Sequence, residues 1–201
     1  EDTAKVPEVT IFFENQLLRG NGTTKINAEN FNAFRSYNYP VLATAGIHIK
    51  YDFNYIHKAD PSLPLKPHFA YDTNVIVLTL FPGIQENLIR NLLQTSGLRA
   101  VVMKTYGSGN APQKPWFIQA LKEATDRGIV IVNISQCPSG MVEMGRYETS
   151  LQLIEAGVVS GYDSTVESIL TKLMFMLGNG KSAEEIRQLM NLPIAGEITK
   201  A

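Results

Sequence analysis

The sequence predicts an α/β fold: a parallel sheet flanked by helices, preceded by a fragment of a second α/β domain. Three observations carry this. Residues 100–103 (Ala-Val-Val-Met) and 129–132 (Ile-Val-Ile-Val) are continuously apolar, as strands buried on both faces are. Helical-period segments separate these runs. Strands alternating with helices of this length imply parallel pairing through crossovers.

The elements follow in order. Residues 9–13 (Val-Thr-Ile-Phe-Phe) are β-branched and aromatic, and predict a strand. Residues 14–40 are polar and turn-rich. Residues 46–51 alternate with period two and predict a second strand, so the first 70 residues supply two strands at most. A two-strand unit is marginal in water. These residues therefore read as part of a larger N-terminal domain, ending near residue 52. Residues 53–74, with Pro61, Pro64 and Pro67, read as a linker.

The remainder, 75–201, reads as one C-terminal α/β domain. Strands are expected at 75–81, 99–104 and 129–134, with a brief apolar piece at 158–159. Helices are expected at 84–96, 114–127, 147–156, 164–178 and 182–191. Gly128 and Gly157 suit the residue after a helix end. Glu123 with Arg127, and Lys181 with Glu185, have the spacing of solvated helix-surface ion pairs.

Composition excludes several classes. The net charge of −1 gives no electrostatic footprint for nucleic acid or an anionic membrane. The longest apolar runs are strand-sized, too short to span a bilayer. Cys137 is the only cysteine, so no internal disulfide forms, which fits a reducing compartment. The start at Glu1, with no Met and no signal-type apolar segment, reads as a cut. His48, His57 and His68 are scattered, so no metal site is expected. Neither G-x-x-x-x-G-K-[ST] nor G-x-G-x-x-G occurs, and no cofactor is expected.

Ligands of open α/β sheets bind beyond the carboxyl ends of the strands. Two loops qualify. Residues 105–112 combine Gly107 and Gly109 with Thr105, Tyr106, Ser108 and Asn110. They form either a ligand loop or a tight turn capped by Asn110. Residues 135–146 offer Ser135, Gln136, Cys137 and Ser139; Cys137 reads as a packed thiol rather than a nucleophile. A third segment, Arg19-Gly20-Asn21-Gly22-Thr23-Thr24-Lys25, is either a hairpin turn at Asn21-Gly22 or a site presenting Thr24 and Lys25.

Several stretches, taken in order, resemble the bacterial cytoplasmic (type I) L-asparaginases. They are residues 9–13 with Arg19-Gly20-Asn21-Gly22-Thr23-Thr24-Lys25; Phe34-Arg35-Ser36-Tyr37-Asn38; Tyr106-Gly107-Ser108-Gly109-Asn110-Ala111-Pro112-Gln113; residues 124–130; Gln136-Cys137-Pro138-Ser139-Gly140; and Gly161-Tyr162-Asp163-Ser164-Thr165-Val166-Glu167. The resemblance covers the C-terminal three-fifths of that family. It implies hydrolysis of L-asparagine to L-aspartate and ammonia, in the cytoplasm, by a homodimer or a dimer of dimers.

The family's nucleophile is a threonine in T-G-G-T-I, and a second threonine and an aspartate lie in G-T-D-T. Neither motif occurs in these 201 residues. Lys25 falls at the family's catalytic lysine. An ammonium beside an aspartate helps a threonine hydroxyl lose its proton, which Lys25 cannot do alone. The isolated chain is therefore expected to be inactive. The resemblance also implies an effector-binding asparagine site involving Thr24, Lys104, Asn110 and Cys137. The best-known relatives have Arg where Lys104 stands, and lysine lacks the bidentate fork. Pro112 replaces a substrate-contacting Asn of periplasmic relatives, and Glu143 and Tyr147 are candidate cross-subunit contacts. Two other readings stay open: an asparaginase-like subunit of a tRNA-dependent amidotransferase, and a non-catalytic amino-acid-binding module.

Overall fold

The central feature is a four-stranded sheet in the order β10-β9-β8-β7, every neighbouring pair parallel. Its strands are β7 (Val75–Thr79), β8 (Ala100–Thr105), β9 (Val130–Ser135) and β10 (Val159–Ser160). The computed structural model describes residues 5–145 and 148–199.

Alternate residues of each strand feed two cores. Leu78, Val101, Met103 and Ile131 pack with Ile89, Phe117, Leu121 and Leu153. These come from α1 (Glu86–Leu93), α2 (Pro115–Asp126) and α3 (Glu148–Glu155). Ala100, Val102, Val130 and Val132 pack on the other face, with Ile169, Leu173, Ile186 and Met190. Those belong to or adjoin α4 (Val166–Gly178) and α5 (Ala183–Leu189). Burial on both faces is the physical reason the strands read as unbroken apolar runs. Each fully buried Val, Leu or Ile contributes about 1.5–3 kcal/mol.

Helix ends follow local chemistry. Pro115 opens α2, where its missing N–H costs nothing. Thr165 caps α4 by accepting from the Ser168 N–H. Ser182 and Glu185 form a reciprocal capping box on α5. The first helix is shorter than the expected 84–96, since Gln94 already leaves helical geometry and Gly97 turns at φ +79°.

The first 51 residues differ most from expectation. Among the described residues of this stretch there are six short strands, not two: β1 (Thr10–Phe13), β2 (Gln16–Arg19), β3 (Thr23–Lys25), β4 (Phe34–Ser36), β5 (Ala43–Ala45) and β6 (Ile49–Tyr51). Strands β1-β2-β5-β6 form one antiparallel sheet, and β3 pairs with β4 in another. Strands of three or four residues are too short to show a period. Tight hairpins pair β1 with β2 and β5 with β6, and the longer-range pairing of β2 with β5 joins them into one sheet.

The hairpin expected at Asn21-Gly22 is a 3-10 turn, Gly20–Gly22, joining strands of different sheets. The pair expected between Glu123 and Arg127 is also replaced. Glu123 accepts from Arg90 at 2.9 Å, and Arg127 donates to the Leu93 carbonyl at 3.1 Å. Lys181 and Glu185 do pair, at 2.8 Å. Among the described residues, no helix is long and apolar enough to cross a membrane. Nor does any group of three His, Cys, Asp or Glu residues there suit a metal ion.

Candidate functional site

The carboxyl ends of β8, β9 and β10 meet on one edge of the parallel sheet. Side chains from the end of β9 fix the loops there. Asn133 is fully buried; its amide oxygen accepts from Thr105 Oγ1 at 2.6 Å, and its Nδ2 donates to Gly109 O at 3.3 Å. Ser135 Oγ donates to Gly107 O at 2.6 Å and accepts from Cys137 N at 2.9 Å. Gln136 Nε2 bridges the carbonyls of Leu80 and Lys104. Loop backbone buried at a sheet end must be paired, and Asn133 and Ser135 of β9, with Gln136 just after it, do this.

Close packing adds to the rigidity. Gly161 N donates to Asn133 O at 2.8 Å. A Cβ on Gly161 would lie 2.5 Å from Ile134 Cγ2. Only glycine lets the β10 end approach β9 this closely.

These ends enclose a cavity of about 140 Å³, the size of a free amino acid. Thr24, Lys104, Cys137, Asp163 and Glu167 are among its lining residues. The Lys104 ammonium has no hydrogen-bond or ion-pair partner among the described residues. Two acidic residues, Asp163 and Glu167, line the same cavity. Asp163 accepts from Thr199 N at 2.9 Å, and Glu167 from Thr24 Oγ1 at 2.6 Å. A cation and two anions around an amino-acid-sized space complement the two ends of a zwitterion. A larger depression of 660 Å³ beside Phe81, Tyr106 and Trp116 presents mainly aromatic and proline surface.

Of the expected effector residues, Thr24, Lys104 and Cys137 converge on this cavity. Asn110 does not line it; its backbone pairs with Tyr106, whose N–H donates to Asn110 O at 2.9 Å. The local turn reading of Asn110 thus describes its backbone. Cys137 is exposed, so the packed-thiol reading gives way to a thiol at the cavity wall. Lys25 lies outside the lining. It is the next residue of β3 and projects to the opposite side, its Nζ 5.9 Å from the Phe34 ring centroid. Glu143 is half-buried and its N–H donates to Ser108 O, while Tyr147 lies outside the described residues.

Asn38, Asp163 and Glu167 lie in stretches that carry the resemblance but are given no site role by the sequence reading. Asn38 donates to the carbonyls of Gly140 and Asp163 and accepts from Gly140 N, tying the loops after β9 and β10 together. It lies 102 and 125 residues from these partners, beyond any local pattern.

Residues 74–190 match the Glutaminase/Asparaginase C-terminal domain family, and residues 1–57 match Asparaginase, N-terminal. This chain belongs to the asparaginase family. L-asparaginase 1 of Escherichia coli K12 is 45% identical over 96% of this chain and 57% of its own length. Human 60 kDa lysophospholipase is 43% identical over 96% of this chain and 34% of its own length. The crystal structure of L-asparaginase I from Vibrio cholerae superposes with a TM-score of 0.91 and 42% identity, over 97% of this chain and 58% of that one. The chain thus spans a little over half the length of these bacterial relatives.

Proposed function

We propose that this chain is the lysine-bearing and effector-binding part of an L-asparaginase, which hydrolyses L-asparagine to L-aspartate and ammonia. One observation carries the reading. Adjacent residues of β3 serve opposite sides, Thr24 at the zwitterion-complementary cavity and Lys25 away from it. A ligand on one side can thereby shift the neighbouring residue on the other.

In the reaction, the Lys25 ammonium supports a carboxylate that takes the proton from a threonine hydroxyl. These 201 residues hold neither threonine motif, so the nucleophile comes from a segment beyond them. The cavity takes free asparagine or aspartate as an effector: Lys104 meets its α-carboxylate, and Glu167 and Asp163 its α-ammonium. A cytoplasmic homo-oligomer, dimer or dimer of dimers, completes the reading.

The test fuses the upstream region of a type I relative to this chain. The fusion should release ammonia from asparagine with a sigmoidal dependence on substrate, and Lys25→Met should abolish release. The 201-residue chain alone should release none; turnover by it would overturn the division of labour proposed here. Hyperbolic kinetics in the active fusion would remove the effector role. Calorimetric binding of aspartate with an inactive fusion would instead select a non-catalytic amino-acid-binding module.

A further inference from the structure

The last described residues fold around a buried carboxylate. Glu197 accepts from Ile194 N at 3.0 Å and from Ala195 N at 2.7 Å, and pairs with the Lys172 ammonium of α4 at 2.6 Å. Both side chains of this pair are only 4% exposed. The Lys172 ammonium also donates to Leu192 O at 2.6 Å, and Ser164 Oγ donates to Glu197 O at 3.0 Å. One ion pair therefore closes the segment 192–197 into a fixed loop on α4.

That loop grips the N-terminal part of the chain. Asn21 Nδ2 donates to Ala195 O at 2.7 Å. Its Oδ1 is buried without a partner among the described residues, so the side chain bears a desolvation cost to make this bond. Arg19 Nη1 reaches Gly196 O at 3.4 Å. Gly196 sits at φ +75°, and a Cβ there would lie 2.7 Å from Arg19 Nη1. From the α4 side, Thr165 Oγ1 donates to Asn21 O at 3.1 Å. The gripped residues are the 3-10 turn and its neighbour, and β3, with Thr24 and Lys25, begins at the next residue.

We infer that the 192–197 loop is a clasp, with Glu197 and Asn21 as positioning residues that set the placement of Thr24 and Lys25. Neither lines the cavity that holds Thr24 and Lys104. The importance of Lys25 rests on the asparaginase reading above; the mechanical coupling does not. A displacement of about 1 Å at a reacting group costs a large factor in rate, so a clasp at the base of a three-residue strand matters to turnover.

Amide hydrogen exchange of the full chain tests the coupling. Asn21→Ala and Asn21→Asp, neither able to donate to Ala195 O, should each speed exchange at residues 23–25 about tenfold while leaving β8 and β9 protected. Glu197→Gln should do the same and also release residues 192–197. Unchanged exchange at 23–25 in the Asn21 variants would overturn the proposal, even if Glu197→Gln fails to fold. In the active fusion, Asn21→Ala should lower kcat about tenfold with KM little changed. Altered exchange with unaltered kcat would overturn the positioning role. An inactive parent fusion would instead count against the asparaginase reading and leave the exchange result to decide the clasp.

Discussion

The hydroxyl of Thr24 donates to the carboxylate of Glu167 at 2.6 Å, across 143 residues of sequence. This contact joins β3 of the N-terminal segment to the first turn of α4. It also sets the direction of one of the two carboxylates at the cavity, so the N-terminal segment shapes a site otherwise built from parallel-sheet loops.

Thr24→Val keeps the shape of the side chain and deletes this donor. Aspartate affinity at the cavity should fall about tenfold, the worth of one charge-assisted hydrogen bond. Isothermal calorimetry checks it, and an unchanged Kd would count against Thr24 as a site residue.

Lys104 tests the charge complement directly. Lys104→Met should reduce aspartate binding by a factor of at least about 10, because the ligand carboxylate is left without a cation. Lys104→Arg should raise affinity several-fold through a bidentate fork. Weaker binding by the arginine variant would show that the cavity is shaped for the ammonium.

Gly161→Ala places a methyl group 2.5 Å from Ile134 Cγ2 and 3.2 Å from the Asn133 carbonyl. Overpacking of this kind should destabilise the chain by about 1–3 kcal/mol. The urea midpoint should drop accordingly, and an unmoved midpoint would contradict the close approach of β10 to β9.

Acid should loosen the clasp. Burial pushes the Glu197 carboxyl up, but the Lys172 ammonium and the N–H groups of Ile194 and Ala195 outweigh it, and the net direction is down. The folded carboxyl therefore binds its proton more weakly than the unfolded one. Its stabilisation is present above the ordinary carboxylate range and is lost as pH falls through the folded value. Thermal melts from pH 6 downward should show a loss in the parent that is smaller in Glu197→Gln. Burial also holds Lys172 below the usual lysine range, despite Glu197 beside it. The pair thus contributes a fixed geometry more than net stability.

The capping-box carboxylate of α5 gives a second acid signature. Lys181 and the Ser182 N–H hold Glu185 down to about 2. An NMR titration of its side chain should show that midpoint. The cap should weaken only as pH falls from the ordinary Glu range towards about 2. A midpoint near the ordinary value would mean that the cap is open in solution.

The amino-acid sequence by itself determined the parallel sheet, its flanking helices and the loops at its carboxyl edge. Val101 to Met103 and Val130 to Val132 are apolar without a break because both faces of those strands are buried, and burial is a property that local pattern records. The segment from Arg19 to Lys25, together with the other matching stretches in order, placed the chain in its family. Tertiary structure alone decided which of those residues meet. It brought Thr24 to Glu167 and Asn38 to Asp163 and set Asn110 outside the cavity. It also closed Glu197 on Lys172, in the loop that holds Asn21 just before the strand carrying Lys25. Such meetings depend on strand register and on where crossovers deliver side-chain tips. No residue's immediate neighbours along the chain encode either.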